Sequence, residues 1–195
     1  MNVRALLATS AMALLAGCSP SAEEAGAPPE ATSQAASGSD RAAVDACDIL
    51  TVEFVEDALG AGDLPIEDAP GTSDRASTYT SCTLTWDSSQ TREMVVAGRS
   101  MTVPDENRIT LAVSIFEPGR SQLAYDAGIR RLKQGNEVEP VSGVGEEATW
   151  IPSMDQISVR GGSSVFHLSL HYADGEGDPL DYATTMARRV LDALE

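Results

Sequence analysis

The chain has 195 residues, 30 of them acidic and 13 basic, which gives a formal net charge of −17. So negative a chain repels phosphate backbones and anionic headgroups, which argues against nucleic acid or an anionic lipid surface as a partner. The bulk of the acidity reads as a well-solvated surface.

The N-terminus runs Met1-Asn2-Val3-Arg4, then an apolar stretch from Ala5 to Ala16, then Gly17-Cys18. A basic head, an apolar centre and small residues in that order form a secretory signal. The apolar stretch has about 12 residues, short of the ~20 needed to cross a bilayer, so residues 1–17 are expected to be exported and removed. Leu15-Ala16-Gly17-Cys18 resembles the lipobox of bacterial lipoproteins, in which the cysteine sulfur takes a diacylglyceryl group before cleavage frees its amine. Cys18 is therefore the expected lipidation site, and two or three acyl chains, at ~0.8 kcal/mol per methylene, make a stable anchor. An ordinary secreted protein with a chance cysteine is the other reading. Ser19 stands where the familiar inner-membrane retention signal is an aspartate. In a cell with two membranes the expected location is thus the outer one, facing the periplasm.

From Ser19 to about Ala43 the chain is mostly Ala, Ser, Glu, Pro and Gly with no large apolar residue; residues 18–43 are expected to be a lipidated cysteine followed by a disordered tether. Residues 44–195 have the size of one globular domain. With Cys18 assigned to lipid, Cys47 and Cys82 remain as a pair in an oxidising compartment and are expected to form a disulfide, two separately buried thiols being the alternative. After Cys47, Thr51 as a cap, a stripe of Val52, Val55, Ala58 and Leu59, and Gly60 as a stop predict a short helix. Cys82 to Trp86 alternates as a strand, and Ile109, Leu111, Val113 and Ile115 mark one face of another. Met94 to Glu106 reads equally as a hairpin arm or an irregular loop. A helix is predicted from Ser121, with Tyr125, Gly128, Ile129 and Leu132 on one side and Gly135 at its end. Strands follow at Ala148–Ile151, Gln156–Arg160 and Ser164–Tyr172, the last two joined by a Gly161-Gly162 turn, with Phe166, Leu168, Leu170 and Tyr172 toward the core. Asp178 as a cap, Pro179 at the first position and a stripe of Leu180, Ala183, Ala187, Val190, Leu191 and Leu194 predict the final helix. Helix, strands, helix, strands, helix is the order of an α+β fold, an antiparallel sheet packed against helices.

Cys47-Asp48-Ile49-Leu50-Thr51, Ala58-Leu59-Gly60, the aromatic after Cys82, Val144-Gly145-Glu146-Glu147-Ala148, Val159-Arg160-Gly161 and the amphipathic last helix together resemble a family of small bacterial envelope lipoproteins with no assigned activity. The resemblance covers most of the domain. It implies a paired Cys47 and Cys82, and a fold similar to the photosystem-accessory and nuclear-import-factor sheet sandwiches. It implies no catalytic residue and no cofactor.

His167 and His171 sit close in sequence, but on a strand four residues separate them by roughly 13 Å, whereas ligands of one zinc must each come within ~2.1 Å. A polar outer sheet face accounts for them better than a metal. Asp174-Gly175-Glu176-Gly177-Asp178 places acids like the first half of a calcium loop. Pro179 stands where that loop needs glycine, however, and Thr185 where it needs a bidentate glutamate. A turn and helix cap is expected instead. Gly143-Val144-Gly145 is too short for a dinucleotide fingerprint and reads as a turn. No nucleophile elbow, phosphate loop or zinc-protease motif occurs. Catalysis would require Glu146 or Glu147 to meet a histidine in space. Expected, then, is a non-enzymatic lipoprotein of the cell envelope, held to the membrane by its lipid, that binds an envelope protein or assists in assembly. The alternative is a small-ligand binder, its pocket between sheet and helix lined by residues such as Trp150, Phe166 and Tyr172.

Overall fold

A computed structural model describes residues 44–66, 74–75 and 79–195, all within one compact unit, Asp40–Glu195. The expected signal peptide, Cys18 and the tether lie outside the described residues.

Two short helices open the fold. In α1 (Ala46–Ile49) the Asp45 side chain accepts from the Cys47 amide at 3.0 Å. In α2 (Val52–Leu59) Thr51 Oγ1 accepts from the Phe54 amide at 3.2 Å, which satisfies a helix-end donor that would otherwise lack a partner. Gly60 ends α2 at φ 65, a left-handed conformation that glycine adopts without a Cβ clash. Val55, Ala58 and Leu59 are buried as predicted, while Val52 is only partly so.

The strands are β1 (Asp74–Arg75), β2 (Thr80–Val96), β3 (Arg99–Ile115), β4 (Glu139–Val141), β5 (Glu147–Ile151), β6 (Gln156–Gly161) and β7 (Ser164–His171). They form one seven-stranded sheet in the order β1-β2-β3-β7-β6-β5-β4, antiparallel at every pairing. The architecture is α+β. A 12-residue helix, α3 (Ser121–Leu132), and a 16-residue one, α4 (Pro179–Leu194), complete it. Asp178 caps α4 through the Leu180 amide at 2.9 Å, and Pro179 begins it, where a missing N–H costs nothing.

Period-two alternation divides the sheet between two layers of helix. The register pairs Ile109 with Leu170, Leu111 with Leu168 and Val113 with Phe166. These side chains face α1, α2 and α4, where Val55, Leu59, Ala183, Met186, Ala187 and Val190 close a filled core. On the opposite face α3 lays Tyr125 and Ile129 over Val165, and Tyr125 Oη bonds Thr149 Oγ1 at 2.7 Å. Cys47 and Cys82 Sγ are 2.14 Å apart, at disulfide distance, so the start of the domain is tied to the second strand.

Three boundaries differ from expectation. Gly161 pairs with Ser164, so the β6–β7 turn is Gly162-Ser163, with Gly162 at φ 55. Helix α3 ends at Leu132, and tighter bonds from Gln134 and Gly135 to Arg131 and Leu132 carry the chain to Gly135. The third difference is the largest: β2 and β3 each run 17 residues, far past the strands predicted around Trp86 and Ile109.

Candidate functional site

The extra length of β2 and β3 makes an arm. Strand β3 borders β7 only along Arg108–Ile115, and β2 borders β1 only at Thr80 and Ser81. Beyond the Trp86–Asn107 pair the two strands therefore have only each other as strand neighbours among the described residues. Their pairing resumes past a register shift between Asp87 and Thr91 and continues to Val96–Arg99 around an Ala97-Gly98 turn. Both turn residues have positive φ, 49 and 77, the geometry that follows the natural twist of a two-residue hairpin. Met94–Glu106, ambiguous in sequence, is this hairpin arm.

The arm is clamped at its root. One Asp174 carboxylate oxygen accepts from Ser88 Oγ at 2.9 Å, the Ser89 amide at 2.9 Å and Ser89 Oγ at 2.7 Å. The other accepts from Asn107 Nδ2 at 2.6 Å. Asn107 is fully buried, and its carbonyl oxygen accepts from the Ala173 amide at 2.9 Å. The bulge is thus stitched to the loop before α4. The Asn107 and Ser89 donors stabilise the charged form, holding the Asp174 carboxyl at about 2. Beside it, Asp105 accepts from the Glu106 amide at 2.9 Å and faces His171 Nε2 at 3.3 Å and Arg92 Nε at 3.6 Å. The backbone bond first, then His171, lower its pKa.

At the far end the chemistry changes. Met94 pairs with Met101, Val95 with Ser100 and Val96 with Arg99. By alternation Met94, Val96, Arg99 and Met101 share one face and Val95 lies on the other. All four apolar side chains are exposed, at 38, 48, 50 and 71% for Met94, Val96, Met101 and Val95. On the Val95 face, Glu93 accepts from Ser100 Oγ and, at 3.4 Å, from Thr102 Oγ1.

The acids of Asp174–Asp178 serve the fold: Asp174 clamps the arm and Asp178 caps α4. Between them a Cβ on Gly175 would lie 2.7 Å from the Tyr172 ring, and one on Gly177 2.8 Å from Tyr182 Oη. The glycines let this loop lie against a stack in which Tyr172 meets Trp86 at 6.1 Å and Tyr182 at 5.6 Å between ring centres. The two histidines separate. His167 Nδ1 pairs with Ser158 Oγ at 2.8 Å, and burial lowers its pKa; His171 is exposed beside Asp105. Among the described residues no three His, Cys, Asp or Glu side chains gather as a metal site would need. Glu146 and Glu147 both turn to Arg160, Glu147 at 3.2 Å. Gly143 and Gly145, at φ 76 and 59, make the turn between β4 and β5.

An open cleft of about 700 Å³ lies between α3 and that turn, bordered by Tyr125, Ile129, Arg130, Lys133 and Glu147. The aromatics proposed to line a pocket are elsewhere: Trp150 and Phe166 are in the filled core, and Tyr172 is in the ring stack. No helix of the described residues is long and apolar enough to cross a membrane. Comparison of the chain with protein-family models, with curated proteins and with solved structures finds no match.

Proposed function

We propose that this is a non-enzymatic envelope lipoprotein, anchored through Cys18, whose domain holds out the β2–β3 arm to bind a protein partner. The arm carries the reading. Among the described residues Trp150 and Phe166 are spent on the core and Tyr172 on the ring stack, so these aromatics border neither large cleft. The exposed large apolar side chains at the arm tip, by contrast, are the kind of patch that marks a contact surface. The lipobox-like Leu15-Ala16-Gly17-Cys18, and the similarity to small envelope lipoproteins in the cysteine and helix motifs, support the anchor. Such a protein has no cofactor and works by contact.

The test is co-purification from detergent-solubilised membranes. The wild type is compared with a variant lacking Arg92–Val103, in which Asn-Gly joins Thr91 to Pro104. The expected result is an acyl-labelled protein in both cases and a partner retained only by the wild type. Equal retention by both would remove the arm from the reading. A second reading, a small-ligand binder, draws on the cleft beside α3, where Arg130 and Lys133 offer charge. It predicts a thermal shift with a small anionic compound that Arg130→Ala and Lys133→Ala together abolish.

A further inference from the structure

We infer that the tip of the arm plugs end-on into an apolar socket rimmed by carboxylates on an envelope protein lying away from the anchoring bilayer. This rests on the reading above and names the partner's chemistry. Three observations carry it. First, the apolar side chains occupy both faces of the last rungs, with Val95 opposite Met94, Val96 and Met101. A ribbon that docks sideways is apolar on one face; here Val95 adds an exposed apolar side chain to the face that also carries Ser100 and Glu93, so the end of the ribbon offers apolar surface in both directions, as a socket requires. Second, Met94–Val103 contains no acidic residue, and Arg99 is its one charge, in a chain of net charge −17. Among the described residues Arg99 has no acidic partner, so the complement it calls for is anionic. A second copy, equally acidic, is repelled.

The third observation separates a protein from the membrane as the source of that negative charge. The chain enters the domain at Val44, whose carbonyl accepts from Thr80 Oγ1 at 3.0 Å, and Thr80 is the first residue of β2. The tip is the other end of the same strand. At ~3.3 Å per residue, β2 carries it roughly 50 Å from the point where the anchor's tether arrives. An anionic lipid surface repels so acidic a chain as well, and the arm gives the tip a reach of roughly 50 Å beyond that entry, enough to meet a protein clear of the anchoring bilayer.

The experiment places a benzoylphenylalanine photo-crosslinker at Val95 in the full-length protein in cells, with Leu123, 72% exposed on α3, as the control position. The adducts are mapped by peptide mass spectrometry. The expected result is a Val95 adduct with another envelope protein, at a segment where Asp or Glu flanks apolar residues. Its yield should fall at least tenfold with Arg99→Glu or Met94→Asp and persist with Arg99→Lys. An adduct with a second copy, an adduct with lipid, a protein adduct indifferent to Arg99→Glu, or no adduct from protein present at wild-type level would each overturn the proposal. An adduct from Leu123 alone would leave a protein-binding lipoprotein standing and show only the arm assignment to be wrong. Both tip variants lie outside the core, and an unchanged melting temperature verifies that they fold.

Discussion

At the scale of single residues, two titratable groups both cost stability as pH falls, in different windows of pH. Asp174 is held near 2 by its clamp, below the usual 3.8. Its stabilisation is fully present above the unfolded value and is lost as pH drops from about 4 through 2. Asp174→Asn should flatten the stability profile in that window, read as urea midpoints. Solvent reaches this carboxylate, so the loss at neutral pH should stay near 1 kcal/mol. His167 has its pKa lowered by burial, so the unfolded chain takes up its proton first. Stability should decline as pH falls below the usual 6.5, level off below the folded value, and lose that slope in His167→Gln. Cys47 and Cys82 are 35 residues apart in sequence, a loop whose closure restricts the unfolded chain by roughly 3–4 kcal/mol. The double serine variant should fold and melt lower. Without prior reduction, neither thiol of the wild-type domain should label under denaturing conditions.

At the scale of elements, the backbone turns are the weak points. Ala97 takes φ 49 in the arm's turn, a conformation that costs an L-residue ~1–2 kcal/mol and glycine little. Ala97→Gly should slow hydrogen exchange of the amides around the turn without moving the domain's melting temperature. Slower exchange throughout the sheet instead would mean that the arm and core open together. Gly145 is the less forgiving site: it sits at φ 59, and a Cβ there would lie 2.5 Å from the Arg160 carbonyl oxygen. Gly145→Ala should destabilise by at least 2 kcal/mol, because backbone rather than a flexible side chain must yield. Gly161→Ala, whose Cβ meets the mobile end of Leu191, should cost less.

At the scale of the whole molecule, what was legible depended on whether neighbouring residues sufficed to specify a feature. Caps and stops stated themselves: Thr51 and Gly60, then Asp178 and Pro179, are local devices, and the helices they bound are where periodicity put them. The core face of β7 followed from Phe166, Leu168 and Leu170 at alternate positions. The arm did not follow, since Met94–Glu106 has no buried face to impose alternation, and Ala97-Gly98 is a weaker hairpin signal than Asn-Gly. Nor did the root, where Asp174 reaches Ser88 and Ser89 across 86 and 85 residues of chain. The same acids looked like a calcium half-loop because sequence shows which groups are present and not which donors they face. The proposed envelope placement rests on residues 1–18, and its test is equally direct: Cys18→Ser should lose acyl label and leave the membrane fraction.

The bond between Cys47 and Cys82 also has a mechanical consequence. Tension applied between the chain's entry at Val44 and the tip of the arm has a short covalent route: three residues to Cys47, across the sulfurs, and along β2 from Cys82 to Val96. Helix α2, between the cysteines, lies off that load path and can stay folded while the line is taut. Under reducing conditions the same pull must travel through residues 48–81, so the helix unravels before the force reaches the sheet. In single-molecule stretching between those two points, the oxidised protein should show no extension event from the looped segment, and the reduced one should release it first.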